Sequence, residues 1–66
     1  MNLTVNGEER AVDGTASVAE LVATLTGRTR GIAVAVNGSV VPKSTWDRRP
    51  LVDGDRVEIL TAVQGG

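Results

Sequence analysis

The sequence predicts an α+β domain in which one helix lies across one face of a single sheet of four or five strands. Three observations carry that expectation. Short segments alternate apolar and polar residues, and two of them end in Asn-Gly. One segment near residue 20 has helical spacing and its own start signal. The 66 residues allow one thin core, because a chain of this length buries only roughly 60% of the surface its unfolded form exposes. One helix cannot cover two sheet faces, so a single helix implies a single sheet.

The elements follow in order. From Asn2 to Asn6 the chain alternates, with Leu3 and Val5 apolar between polar Asn2, Thr4 and Asn6. Asn6-Gly7 is the strongest short hairpin signal, since both turn positions want positive φ. A second strand is expected over about Glu9 to Val12, closed by a turn at Asp13-Gly14. Ser17-Val18-Ala19-Glu20 reads as a capping box, in which Ser17 accepts from the backbone three residues on and Glu20 reaches back. Val18, Leu21, Val22 and Leu25 then form one apolar helical stripe. Gly27 falls where a left-handed C-terminal cap belongs, which gives a helix of roughly ten residues.

Beyond a polar connection, Ile32 to Asn37 is the third strand, with Ile32, Val34 and Val36 on one face and Ala33 and Ala35 on the other. Asn37-Gly38 repeats the hairpin signal, and Val40-Val41 forms a short return strand that Pro42 stops or edges. Ser44-Thr45-Trp46 is expected to cap a short helical turn. Asp53-Gly54-Asp55 is a turn, and Arg56 to Val63 the last strand. Within it Val57 and Ile59 share the helix-covered face, while Glu58, Leu60 and Ala62 share the other. Arg56 and Glu58 are expected in surface ion pairs, and Trp46 as a packing residue of the core or its rim.

Composition excludes several functions. Without cysteine there are no disulfides, thiolate nucleophiles or sulfur-ligated metals, and without histidine the usual general base and commonest metal ligand are gone. The acidic residues are scattered, with no loop of calcium-binding spacing. Intrinsic catalysis is therefore not expected, nor a cofactor or metal of the chain's own. A formal charge of −1 with one Trp and no Phe or Tyr gives neither the basic face of a duplex binder nor the stacking platforms of a single-strand binder. No apolar run approaches the ~20 residues of a membrane span, and the start has no signal-peptide pattern. A cytoplasmic protein, monomeric when free, is the expectation.

The residues alone leave the ending open between a frayed terminus and a working group. After Val63 nothing apolar remains and the chain finishes Gln64-Gly65-Gly66. A terminal carboxylate used as a reactive group must thread a partner's site and meet an activated phosphate. Glycine has no Cβ to obstruct that approach.

Several stretches together resemble the ThiS family, the ubiquitin-like sulfur carriers of bacterial thiamine biosynthesis. They are Val5-Asn6-Gly7-Glu8, Val18-Ala19-Glu20-Leu21, Val34-Ala35-Val36-Asn37-Gly38, Val41-Pro42-Lys43-Ser44 with Trp46, and the run from Asp53 through Arg56-Val57-Glu58-Ile59 to Ala62-Val63-Gln64-Gly65-Gly66. The resemblance covers essentially the whole chain, and only the loop Thr26 to Arg30 looks individual. It implies a β-grasp: a mixed sheet with one main helix on one face and the first and last strands parallel neighbours. Residues 1–63 would form that domain and residues 64–66 a flexible reactive tail.

The resemblance also implies a mechanism. An ATP-dependent activating enzyme, related to ubiquitin-activating enzymes, adenylates the Gly66 carboxylate. Sulfur from a cysteine-derived persulfide displaces AMP and leaves a thiocarboxylate. Thiazole synthase then takes the sulfur, so the carrier is a cosubstrate and not an enzyme. Gly66 would hold the reactive carbon and Gly65 give clearance, while Gln64 either positions the tail or serves as a polar spacer. Leu60, Ala62 and Val63, with Ala33 and Ala35 on the uncovered face, are the expected docking surface. Three other readings compete: a carrier serving molybdenum-cofactor synthesis, a ubiquitin-like modifier of lysines, and a plain interaction domain with an inert tail.

Overall fold

Two Asn-Gly turns organise the sheet. In the computed structural model, which describes residues 1–14, 16–27 and 30–61, Asn6 and Gly7 have φ of 50° and 83°, and Asn37 and Gly38 have 52° and 85°. Positive φ at both positions gives the turn a twist that matches its flanking strands. The first turn joins β1 (Asn2–Val5) to β2 (Glu8–Ala11), and the second joins β3 (Ile32–Val36) to β4 (Ser39–Val41). A two-residue turn makes its immediate neighbours pair, so Val5 faces Glu8 and Val36 faces Ser39. That register starts β2 one residue earlier than the expected Glu9 to Val12. Val12 leaves the strand but keeps two bonds to Met1, its N–H donating to the Met1 carbonyl at 2.8 Å and its carbonyl accepting from the terminal ammonium at 2.7 Å.

The last strand, β5 (Arg56–Thr61), lies between the two hairpins. The sheet order is β2-β1-β5-β3-β4, with β5 parallel to β1 and antiparallel to β3. The sheet is mixed, has five strands and carries one main helix, which is the β-grasp arrangement.

That helix, α1, spans Val18–Leu25, eight residues where about ten were expected. The capping box is formed: the Glu20 N–H donates to Ser17 Oγ at 3.2 Å, and the Ser17 N–H to Glu20 Oε1 at 2.9 Å. The first helical N–H, that of Val18, donates to the Arg49 carbonyl at 2.9 Å, so the loop before β5 helps to satisfy the helix start. Gly27 has φ of 68°, the left-handed position just past the C-cap Thr26.

Val18, Leu21 and Val22 meet Leu3, Val5, Val34, Val36, Val41 and Val57 from the sheet, and Trp46 and Leu51 close the side of the core. Leu25, the fourth residue of the expected stripe, is only partly buried. Trp46 sits on a 3₁₀ helix, Lys43–Arg48. Here the expected cap is corrected. The helix starts after Pro42, whose φ of −60° suits the entry, and no side chain caps it. The Thr45 hydroxyl instead donates to the Pro42 carbonyl at 2.8 Å. The expected ion pairing of Arg56 and Glu58 is also corrected. Among the described residues the charged contact is Arg10 to Glu8 at 4.0 Å, at an exposed edge where it adds little to stability.

Candidate functional site

The residues that matter for a C-terminal working group are those that hold β5, since the chain's end follows it. The strand is gripped at its start by a buried carboxylate. Asp55 accepts from the Val52 N–H at 2.9 Å on Oδ2 and from Asn37 Nδ2 at 3.0 Å on Oδ1, and its own carbonyl accepts from the Thr4 N–H at 3.0 Å. A buried carboxylate needs such donors. The Asn37 side chain completes the set by accepting from the Arg56 N–H at 2.9 Å.

Further along, β5 outruns its parallel neighbour. Pairing with β1 ends at Val5 opposite Val57, whereas pairing with β3 continues to Thr61 opposite Ile32. The Asn6 N–H donates to the Val57 carbonyl at 2.9 Å, and then the Asn6 side chain takes over from the backbone. Its Oδ1 accepts from the Ile59 N–H at 2.8 Å and its Nδ2 donates to the Ile59 carbonyl at 3.1 Å. The carboxamide thus replaces the missing β1 residue in the ladder. Nothing in the hydrophobic pattern revealed this, because the sequence marks Asn6 only as a turn former.

On the face away from the helix, Ala33 pairs with Leu60, and Ala35 lies between Glu58 and Val40. Leu60 is 66% exposed and Val40 75%. Ala33 is exposed and Ala35 half-buried. The structure therefore brings together the three described residues of the expected docking surface and adds Val40. The signal for Val40 was present: a two-residue Asn37-Gly38 turn fixes Ala35 opposite Val40, hence on the same face. Beside the end of β5, Gly31, Ile32, Ala33, Leu60 and Thr61 line a shallow depression. The other half of this face, with Thr4, Glu9, Arg56 and Glu58, is more polar.

Ala62, Val63, Gln64, Gly65 and Gly66 lie outside the described residues. The docking role of the first two, the proposed tail and its reactive carboxylate are therefore expectations carried by the sequence. Among the described residues no helix is long and apolar enough to cross a membrane.

Comparison with known proteins bears on what such a site does. The ThiS family model matches residues 3–66. A thiazole synthase of Paramagnetospirillum magneticum is 38% identical over 66 residues, all of this chain but only 20% of that protein. The sulfur carrier protein ThiS of Escherichia coli is 34% identical over 50 residues, 76% of each chain. The crystal structure of the thiamine biosynthesis protein ThiS from Geobacter metallireducens superposes with a TM-score of 0.86 at 39% identity, and the whole of each chain is covered. The solution structure of a thiamine biosynthesis protein from the same organism gives 0.82 at 38% identity, covering all of this chain and 88% of the other.

Proposed function

The chain belongs to the ThiS family, and from that premise we propose that it carries sulfur for thiamine biosynthesis on the C-terminal carboxylate of Gly66. The observation that supports this most is the family match, which covers residues 3–66 and so takes in Gln64-Gly65-Gly66 after a central strand held from both sides. The five residues after Thr61 span at most about 17 Å when extended, enough to reach into a partner's site while the folded body stays outside.

The chemistry follows from what the chain lacks. It has no cysteine, so it cannot hold sulfur as a persulfide of its own. A carboxylate is a poor electrophile. One of its oxygens attacks the α-phosphate of ATP, pyrophosphate leaves, and the acyl adenylate now has AMP as a good leaving group. The terminal sulfur of a cysteine-derived persulfide on a partner attacks the acyl carbon and expels AMP. A second thiol, also a partner's, cleaves the sulfur–sulfur bond and leaves the thiocarboxylate on Gly66. The acceptor is a thiazole synthase. That assignment, preferred to the molybdenum-cofactor and protein-modifier readings, is supported by a protein of that name containing a segment alignable with this entire chain.

Intact mass tests the reading. The protein is incubated with a ThiS-activating enzyme, ATP and a sulfur donor, beside a variant lacking Gly66. A mass gain of sulfur for oxygen is expected only with intact Gly66, and only that product should react with a thiol probe, which separates it from oxidised Met1. No ATP-dependent gain with a demonstrably active partner rules the carrier out.

Leu60, Ala33, Ala35 and Val40 form the docking surface in this reading, with Ala62 and Val63 continuing towards the tail. Leu60→Glu puts a charge in the middle of it without touching the core. The expected result is a KM for the activating enzyme raised roughly tenfold, as for a residue central to an interface. Stability should stay within about 0.5 kcal/mol, as for an exposed substitution. An unchanged KM removes this face from the interface.

A further inference from the structure

We infer that Asn6 is a positioning residue for the charging reaction: its side chain fixes the last part of β5 from which the reactive end departs. The inference rests on the carrier reading and deepens it. It starts from the asymmetry of β5. On the β3 side the strand is paired as far as Thr61, but on the β1 side the backbone ladder stops at Val57. Among the described residues, the Asn6 carboxamide alone holds Ile59 on that side, with an acceptor at 2.8 Å and a donor at 3.1 Å. Without it, the segment that leads to the tail is a strand bonded on one edge.

A second Asn provides the comparison. Asn37 has the same turn, nearly the same φ (52° against 50°), and a side chain that also makes two hydrogen bonds, to the Arg56 N–H and Asp55. It acts where β5 begins, whereas Asn6 acts nearer to where β5 ends. The two residues are thus a chemically matched pair, and they differ in which part of the strand they fix. Glycine accepts positive φ without strain, so Asn→Gly keeps each turn and removes only the side-chain grip.

Docking by the body of the protein supplies binding that is the same before and during the reaction, so losing the Asn6 grip should leave KM alone. What it removes is alignment of the end with the nucleotide, and misplaced reactants lower kcat. Asn6→Gly is expected to lower kcat for adenylation on the order of tenfold, with KM within about twofold. Asn37→Gly loses as many side-chain hydrogen bonds, one of them to the buried Asp55 carboxylate, so it costs at least as much stability, yet it is expected to keep kcat within about twofold. Asn6→Asp keeps the acceptor for Ile59 N–H but sets a carboxylate against the Ile59 carbonyl, and its kcat should fall in between.

The experiment measures ATP-dependent adenylate formation by the intact proteins at saturating and limiting concentration. Amide exchange at Ile59 and Leu60 is followed in the free proteins. Faster exchange there and a lower kcat in Asn6→Gly but not in Asn37→Gly support the assignment. Equal kcat in the two variants overturns it, as does a raised KM with kcat intact, which would make Asn6 a docking contact. Asn6→Asp decides the matter by the same comparison should Asn6→Gly not fold. If the wild-type protein itself is not adenylated, the carrier reading has failed and this inference falls with it. A wild type that is charged, beside variants that do not differ, refutes this inference alone.

Discussion

Trp46→Ala is expected to cost about 3–5 kcal/mol, the range for truncating a large buried aromatic. For 66 residues the total stability is about 3–10 kcal/mol, so this one change removes between about a third and all of it. The reason lies in how the core is closed. One helix crossing a five-stranded sheet leaves an open side, and the 3₁₀ helix Lys43–Arg48 fills it with the chain's sole aromatic residue, 4% exposed. The indole also donates from Nε1 to the Val41 carbonyl at 2.9 Å, which ties the 3₁₀ helix to β4. Truncation therefore removes apolar contacts and strands a buried carbonyl. Trp46→Phe separates the two effects, because it keeps most of the ring volume and loses only the donor. It should cost about 1–3 kcal/mol. Urea denaturation followed by circular dichroism measures both without needing the indole as a probe. A loss below about 1 kcal/mol for Trp46→Ala would mean that Trp46 is only a rim residue.

Much of this architecture was legible in the sequence, for local reasons. Asn-Gly turns, the Ser17–Glu20 box and the helical stripe are each decided within a few residues, and each is found where the pattern puts it. The alternation also placed Val57 and Ile59 towards the helix and Leu60 and Ala33 away from it. What escaped depends on contacts remote in the chain. The Asn6 side chain meets Ile59 53 positions on, and only the parallel pairing of β1 with β5 creates that meeting. Leu51 is 2% exposed in an irregular segment after Pro50, where no period exists to mark it as core. The end of the 3₁₀ helix and the Ser17 to Pro50 bridge likewise belong to a loop folded over the helix start. The candidate site divides in the same way. Its apolar face follows from strand alternation, and the grip on β5 follows from tertiary pairing.

Gly65→Val is expected to lower kcat/KM for charging of Gly66 on the order of a hundredfold, the scale at which small misplacements of a reacting group tell. A β-branched side chain next to the proposed reactive residue adds bulk in whatever channel the end enters, and it allows fewer backbone conformations than glycine. Gly65→Ala adds a single methyl group and should fall between wild type and Gly65→Val, so the series reads steric clearance directly. The buried core set by the described residues runs from Leu3 to Val57. Neither variant alters a residue of it, and the unfolding free energy is expected to stay within about 0.5 kcal/mol of the wild type. Trp46→Ala should show the converse: a large loss of stability, with the molecules that remain folded still charged through an unaltered end. The two variants thereby separate a fold that presents the carboxylate from a tail that lets it react. Charging of Gly65→Val at the wild-type rate would show that clearance at this residue is not what the terminal glycines provide.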